Sequence, residues 1–250
     1  MDIEQYMRDA EQHYESQIDL GKWIIVRLDG RNFSSLTQKH YTKPFDLRFH
    51  TLMVETTKHL LTEFYGIYAY VASDEISLLF SPTWDTFDRR VEKATTLIAS
   101  TASVYFSLAV QHSATFDARI IPLDSLPDVA VYFIWRFCDV ERCALQTATY
   151  WTLRNQDTLT PRQTTKLLDG ASVDKKRDIL SNHDIDYSTL PTWQRQGVGL
   201  HWEEYQKEGY NPITEQTVMA TRKRICYFDD FQSREYYRQW LQCILGKEQP

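Results

Sequence analysis

Two short acidic stretches carry the residues best suited to chemistry: "LDGRNFS", residues 28–34, and "SDE", residues 73–75. In the first, Asp29 ends an apolar run and is followed at once by Gly30, with Arg27 and Arg31 on either side. In the second, Asp74 stands between Ser73 and Glu75, where two apolar runs meet. Carboxylates at turns, one beside a glycine whose carbonyl can be approached closely, suit hard divalent cations. Mg²⁺ takes oxygen ligands, commonly one or two carboxylates plus substrate phosphates. Two such ions about 3.5–4 Å apart activate an attacking oxygen and steady a leaving one. The backbone amides of "GRNFS" form a candidate nest for a triphosphate, whose charge Arg27, Arg31 and Lys43 would neutralise. The plainer reading is that Asp-Gly merely ends a strand and the arginines pair with the acids. Either stretch taken alone leaves both readings open.

The elements that would position these residues follow from periodicity. An amphipathic helix over about residues 2–16 precedes "IIVRLDG", whose apolar residues run together as in a strand buried on both faces. "SSLTQKHYTKP" reads as a polar loop. From about Asp46 to Phe64, Phe49, Met53, Thr56, Leu60 and Phe64 share one helical face. "GIYAYVA" and "ISLLFSP" read as two strands of a hairpin turned by "SDE". A second long helix spans about Thr86–Leu108, and "FDARIIPL" is a fourth strand. The order βαββαβ defines an α+β, ferredoxin-like arrangement: one antiparallel sheet with two helices on one face. That topology brings the end of the first strand beside the hairpin turn, so Asp29 and Asp74 become neighbours.

The second half is less patterned. A helix from about Val129 to Leu153 carries Tyr132, Phe133, Trp135 and Trp151, which offer a surface for a second copy of the chain. Two shorter helices have Thr160 and Ser172 as N-caps, the first with Pro161 at its opening position. "GVGLHWEEY" and "TVMATRKRICYF" form a hairpin, and a last helix covers Ser233–Leu245. The expected division is a core over residues 1–125 and a helical and β-hairpin extension over residues 126–250.

Composition narrows the function. The chain has 250 residues, is 42% hydrophobic and carries a net charge of −6. That balance argues against wholesale nucleic-acid binding, although "RRVEK", "DKKR" and "TRKR" are local basic clusters. No apolar run reaches the roughly 18 residues of a membrane span. The N-terminal "MDIEQYMRDAEQHYES" is polar where a signal peptide needs an apolar stretch, so a cytoplasmic location is expected. Cys138, Cys143, Cys226 and Cys243 form no CxxC pair; they fit a reducing compartment, and a zinc site is not expected.

In order along the chain, "VRLDGRNF", "KPFD", "SDEISLLF", "FDRRVEK", "FDAR" and "GVGLHWEEY" resemble the tRNA(His) guanylyltransferase family, over about Trp23–Trp202. The resemblance implies a polymerase palm-type domain that adds nucleotides to an RNA 5′ end, in the 3′–5′ direction. It implies that Asp29, the Gly30 carbonyl and Asp74 hold two Mg²⁺ ions, with Asp29, Asp74 and Glu75 as the catalytic carboxylates. Arg27, Asp29, Gly30, Arg31, Asn32, Phe33, Ser34, Lys43, Ser73 and Asp74 would bind the nucleotide, and Arg89, Arg90 and Lys93 its triphosphate. The expected partners are tRNA, GTP or ATP, and further copies of the chain. One departure stands out. Where eukaryotic members carry "HINN", this chain has Glu141, Arg142, Cys143 and Ala144. None of these reproduces an imidazole or a carboxamide in kind. The substitution shifts the expectation from strict tRNA(His) specificity to templated repair of 5′-truncated tRNA. The competing readings are a palm-type nucleotide cyclase and a palm domain that binds RNA or nucleotide without turnover.

Overall fold

The computed structural model describes residues 2–12, 15–211, 213 and 215–246. After α1 (Ile3–Gln12) come β1 (Trp23–Gly30), α2 (Phe33–His40), α3 (Leu47–Glu63), β2 (Tyr68–Ala72) and β3 (Glu75–Phe80). Next are α4 (Val91–Val110), β4 (Phe116–Leu123), α5 (Leu126–Asn155), α6 (Pro161–Leu168), α7 (Val173–Ser181) and α8 (Thr192–Gln196). The hairpin β5 (Val198–Asn211) and β6 (Gln216–Phe228) and the helix α9 (Arg234–Leu245) follow. Among the described residues the strands form one six-stranded sheet in the order β4-β1-β3-β2-β5-β6. Every neighbouring pair is antiparallel.

The unbroken apolar run of β1 is explained by burial on both faces. Ile24, Val26 and Leu28 enter one core with Phe49, Met53 and Leu60 of α3 and Ala94, Ile98 and Phe106 of α4. Trp23 and Ile25 enter a second core on the other face, with Val129, Phe133 and Phe137 of α5 and Tyr237 and Leu241 of α9. Helices therefore cover both faces, where two helices on one face were expected. The second half supplies the added layer. Its aromatics Tyr132 and Phe133 are spent inside the chain, while Trp135 remains 51% exposed. Buried hydroxyls pin this layer to the sheet: Tyr68 and Tyr237 meet at 2.6 Å, and Ser77 and Tyr132 at 2.9 Å. The hairpin joins the sheet through β2, Val71 pairing with Val198 and Tyr68 with His201, and the remainder of its length runs past that strand.

Three local expectations are corrected. Residues 33–40 are the helix α2, not a polar loop. The helix expected over residues 2–16 ends at Gln12, with residues 13 and 14 outside the described set. The helix expected from Thr86 begins at Val91, because Phe87, Asp88 and Arg89 take left-handed backbone angles (φ 60°, 54° and 57°). Left-handed angles are costly for residues with a Cβ, about 1 kcal/mol or more each. The buried Arg89 guanidinium offsets that cost by donating to four backbone carbonyls: Ile18 (3.1 Å), Pro82 (3.1 Å), Trp84 (2.6 Å) and Lys22 (2.7 Å). It clamps the segment before β1 to the segment after β3.

Removing that clamp would leave several buried carbonyls without donors. Arg89→Met is expected to lower stability by on the order of 3 kcal/mol. That corresponds to roughly 8 °C in melting temperature for a chain of this size. Denaturant melts check it, and any activity of the remaining folded protein should be undiminished.

Candidate functional site

The end of β1 fixes the site. Asp29 pairs in register with Glu75 of β3 on one side and with Asp117 of β4 on the other. Directly paired residues of antiparallel strands project to the same face, and neighbouring strands lie about 4.8 Å apart. Three carboxylates are thus carried abreast on the α5 side of the sheet. Asp74 lies one residue beyond, in the two-residue turn joining β2 to β3, where Ser73 takes a left-handed φ of 53°. The Gly30 N–H donates to the Asp74 carbonyl at 3.1 Å and ties the strand end to that turn. The Ser73 hydroxyl donates to the Asp74 carboxylate at 3.0 Å.

Gly30 is required here by space. A Cβ at this position would lie 2.3 Å from Cγ of Phe33. The Phe33 ring, 1% exposed, packs over Gly30 and against Phe106 and Phe116. That packing starts α2 directly after the strand. Its N-cap, Asn32, is left-handed (φ 61°) and makes no side-chain cap bond. The N–H groups of a first helical turn have no intrahelical acceptor, and the helix dipole favours an anion beside them. Asn32, Phe33 and Ser34 therefore present the type of donor expected of a phosphate nest, next to the carboxylates.

The electrostatics are those of a site short of positive charge. Burial and the charge of Asp29 push the Asp74 carboxyl above its ordinary value, against the weaker pull of Ser73 and Lys43. Burial lowers the Lys43 ammonium, and Asp74 opposes that fall. Lys43 donates to Thr37 Oγ1 at 2.5 Å and lies over the Trp151 ring. Burial raises Glu75, and Arg136 opposes the rise. Arg136 grips both Glu75 oxygens at 2.7 Å and also reaches Asp139 at 3.2 Å. Arg27 lies 5.4 Å from the centroid of the Trp135 ring. Among the described residues no group of three or more His, Cys, Asp and Glu side chains is arranged to hold a metal ion. A pair of carboxylates with a backbone carbonyl is nonetheless the kind of partial oxygen set that Mg²⁺ completes with water and phosphates.

Asp29, Gly30, Ser73, Asp74 and Glu75 thus come together, with Arg27, Lys43 and the start of α2 around them. Arg89, Arg90 and Lys93 do not join them. They lie by the start of β1, at the opposite end of the sheet, roughly 20 Å away at the rise of an extended strand. The polar hydrogens of Arg89 are taken by backbone carbonyls, and Arg90 donates to Glu15. Lys93 is exposed in the first turn of α4. The triphosphate role read for these three is not supported at this site. Asp46 of "KPFD" is the N-cap of α3, accepting from the Arg48 N–H at 2.9 Å, and its Arg48 partner holds it well below the usual carboxylate range. Sequence reasoning missed Asp117, Trp135 and Arg136 as parts of the site. Register places Asp117, and the packing of α5 across the sheet brings the other two to Arg27 and Glu75. Glu141 accepts from Gln196 Nε2 at 2.9 Å and lies 3.8 Å from Arg234, so it links α5 to α8 and α9.

Comparison with known proteins gives the family of the chain. The family model described as tRNAHis guanylyltransferase matches residues 4–124, and the one described as Thg1 C terminal domain matches residues 127–230. A probable tRNA(His) guanylyltransferase of Mus musculus is 32% identical over 74% of this chain and 66% of its own length. The match therefore spans about two thirds of the mouse protein. The Homo sapiens counterpart is 32% identical over 80% of this chain and 72% of its own. A bacterial tRNA(His) guanylyltransferase-like protein, solved in complex with ATP, superposes with a TM-score of 0.74 at 25% identity, covering 96% of this chain and 99% of that one. The relatives it matches are named as guanylyltransferases, a class of nucleotidyltransferase. The chain belongs to the tRNA(His) guanylyltransferase family.

Because Asp74 ionises less readily in the fold than its ordinary value of 3.8 allows, its charge destabilises the metal-free protein above that pH. Stability from this group falls as pH rises through the window between the two values. Asp74→Asn, which keeps the shape and removes the repulsion, should raise the melting temperature in EDTA at pH 7 by about 3 °C for each kcal/mol relieved. The gain should vanish below about pH 3.8, where both proteins carry a neutral group. Thermal melts across pH measure this.

Proposed function

We propose that this chain is a template-dependent 3′–5′ nucleotidyltransferase that adds nucleotides to the 5′ end of tRNA, repairing truncated acceptor stems. The observation that carries the reading is the meeting of Asp29 and Asp74 at one sheet end, beside the unfilled first turn of α2. The strand order β4-β1-β3-β2 supports a ferredoxin-like, polymerase palm-type domain, which we assign to residues 1–125. Residues 126–250 are an extension that completes the site, since Arg136 and Trp135 come from α5.

Asp29, Asp74 and the Gly30 carbonyl would hold two Mg²⁺ ions. When bound, these supply charge neutralisation at phosphate oxygens and an activated attacking oxygen. The chain's own groups orient the reactants. The first turn of α2, Lys43 and Arg27 receive the triphosphate of GTP or ATP. Arg136 opposes the upward push of burial on Glu75 and fixes it beside Asp29. In the reaction, the 3′-hydroxyl of the incoming nucleotide attacks the activated 5′ phosphate of the RNA. The new phosphodiester bond forms as the activating group departs, and the hydroxyl proton is lost to the surroundings.

Glu141 to Ala144 contribute an ion pair, a surface arginine, an exposed thiol and a buried methyl. That set does not supply the hydrogen bonds of "HINN", so the identity of the added base falls to pairing with the opposite strand. Among the described residues no helix is long and apolar enough to cross a membrane, and we place the activity in the cytoplasm. A homo-oligomer is the proposed assembly. Leu97, Val104 and Leu108, exposed at 41%, 59% and 75% on one face of α4, are the apolar surface it would cover.

Incubation of the protein with Mg²⁺, labelled nucleotides and 5′-truncated tRNAs differing only in the opposing base tests the reading. Addition should follow that base, and a nucleotide lacking its 3′-hydroxyl should not be incorporated. Asp29→Asn should reduce addition by at least ~10³-fold, the scale of losing a group that stabilises only the transition state. Guanosine added whatever the opposing base, or undiminished activity in Asp29→Asn, overturns it.

A further inference from the structure

A second concavity lies beside the carboxylate site, between α2 and the turn from α4 to β4. It encloses about 650 Å³. Its walls bring together Arg31, Lys39, His40 and His112, with the hydroxyls of Ser35 and Thr115, and no Asp or Glu lines it. In a chain with 34 acidic against 28 basic residues, such an acid-free wall departs from the general surface. The His40 and His112 rings face each other at 4.2 Å between centroids, so protonation of both places two like charges together. Lys39, from the same helix as His40, adds a third. An arrangement of this kind is relieved by an anion held between the rings and the arginine.

We propose that this groove holds the phosphodiester backbone of the RNA substrate close to its 5′ end. The inference rests on the functional reading above and adds to it a place for the RNA strand. Two observations favour an RNA phosphate over the triphosphate of a free nucleotide. The groove is continuous with the site: Arg31 follows Asp29 by two residues, roughly 7 Å of chain, and its N–H donates to the Thr115 carbonyl at 2.8 Å. Among the described residues no Phe, Tyr or Trp lines it, and its two imidazoles lie against each other, 4.2 Å between centroids. Its cationic and hydroxyl groups suit contacts to a backbone, which carry no sequence information and match an enzyme that leaves base choice to pairing.

A pH dependence follows. Burial, His112 and Lys39 each hold His40 below its ordinary value of 6.5. The groups acting on it are Lys39 on its own helix and His112 across the groove, both basic, and Arg31 lines the same groove. A bound phosphate reverses the balance and favours the protonated rings, so RNA affinity should rise as pH falls from about 8 to about 6.

The test measures binding of a labelled 5′-truncated tRNA, and separately of GTP, to the full chain at both pH values and across salt. His40→Asn combined with His112→Asn should bind RNA about 5–10-fold more weakly at the lower pH and lose the gain on acidification. Lys39→Gln, at an exposed position, should flatten the slope of log affinity against log salt by roughly 0.7, one single-strand phosphate contact. GTP affinity should be unchanged in all of them. RNA affinity, its pH response and its salt slope identical to wild type in both variants would defeat the proposal. A loss confined to GTP would assign the groove to a free nucleotide and likewise defeat it. Nucleotide addition by the wild-type protein is scored independently. If it fails, the functional reading falls; if it succeeds while the variants bind RNA normally, only the groove does.

Discussion

The register of β1 between β3 and β4 is the constraint on which the active end depends. Side chains alternate along a strand, and a slip of one residue would exchange its faces. With Val26 opposite Leu78 and Ile120, and Asp29 opposite Glu75 and Asp117, both cores are filled and the acids emerge together at the strand end. In this register Ile24, Val26 and Leu28 are buried on one side and Trp23 and Ile25 on the other. Hydrophobic burial along the strand therefore sets the positions of charges that repel at its tip. The local conflict between neighbouring carboxylates is the sort expected where a fold gives up stability for chemistry.

Much of this end was legible in sequence because turn chemistry and strand order speak directly about Asp29 and Asp74. An apolar run buried on both faces, an Asp-Gly at its end and a hairpin turned by Ser-Asp-Glu suffice once the element order is known. The rest depended on contacts that sequence spacing does not encode. "FSSLTQKH" has no strong helical periodicity, and its Ser and Thr residues favour turns. It is helical where Phe33 seats over the bare Cα of Gly30, a contact visible only in three dimensions. Asp117 belongs to the site by lateral pairing, not by proximity along the chain.

"FDRRVEK" shows the opposite failure. Two adjacent arginines at a helix start invite a phosphate-binding reading, yet one of them is 2% exposed and bonded to backbone carbonyls. A guanidinium has five N–H donors in a rigid fork, and that geometry suits carbonyls converging from several loops as well as it suits a phosphate. What separates the two uses is burial, which here follows from the left-handed run at residues 87–89 turning the side chain inward. The pattern of charge along this segment is the same in either case.

The C-terminal half enters the chemistry through a single helix. α5 lies across the face of the sheet from which Asp29 and Glu75 project, and its Arg136 meets Glu75 with two parallel hydrogen bonds. A carboxylate so held is fixed in direction as well as in charge, because a bidentate pair restricts both torsion and translation. Asp139, one turn along, binds Arg136 and Arg142, and so carries this chain of charges to the positions where "HINN" was expected. Glu141 and Arg142, two of those positions, line a cavity of about 1080 Å³ together with Arg177 and Arg195. Substituting the signature therefore alters a surface connected to Glu75 through a continuous chain of ion pairs, from Arg142 through Asp139 and Arg136. A change along this helix leaves the register of Asp29 with Glu75 and Asp117 as it is.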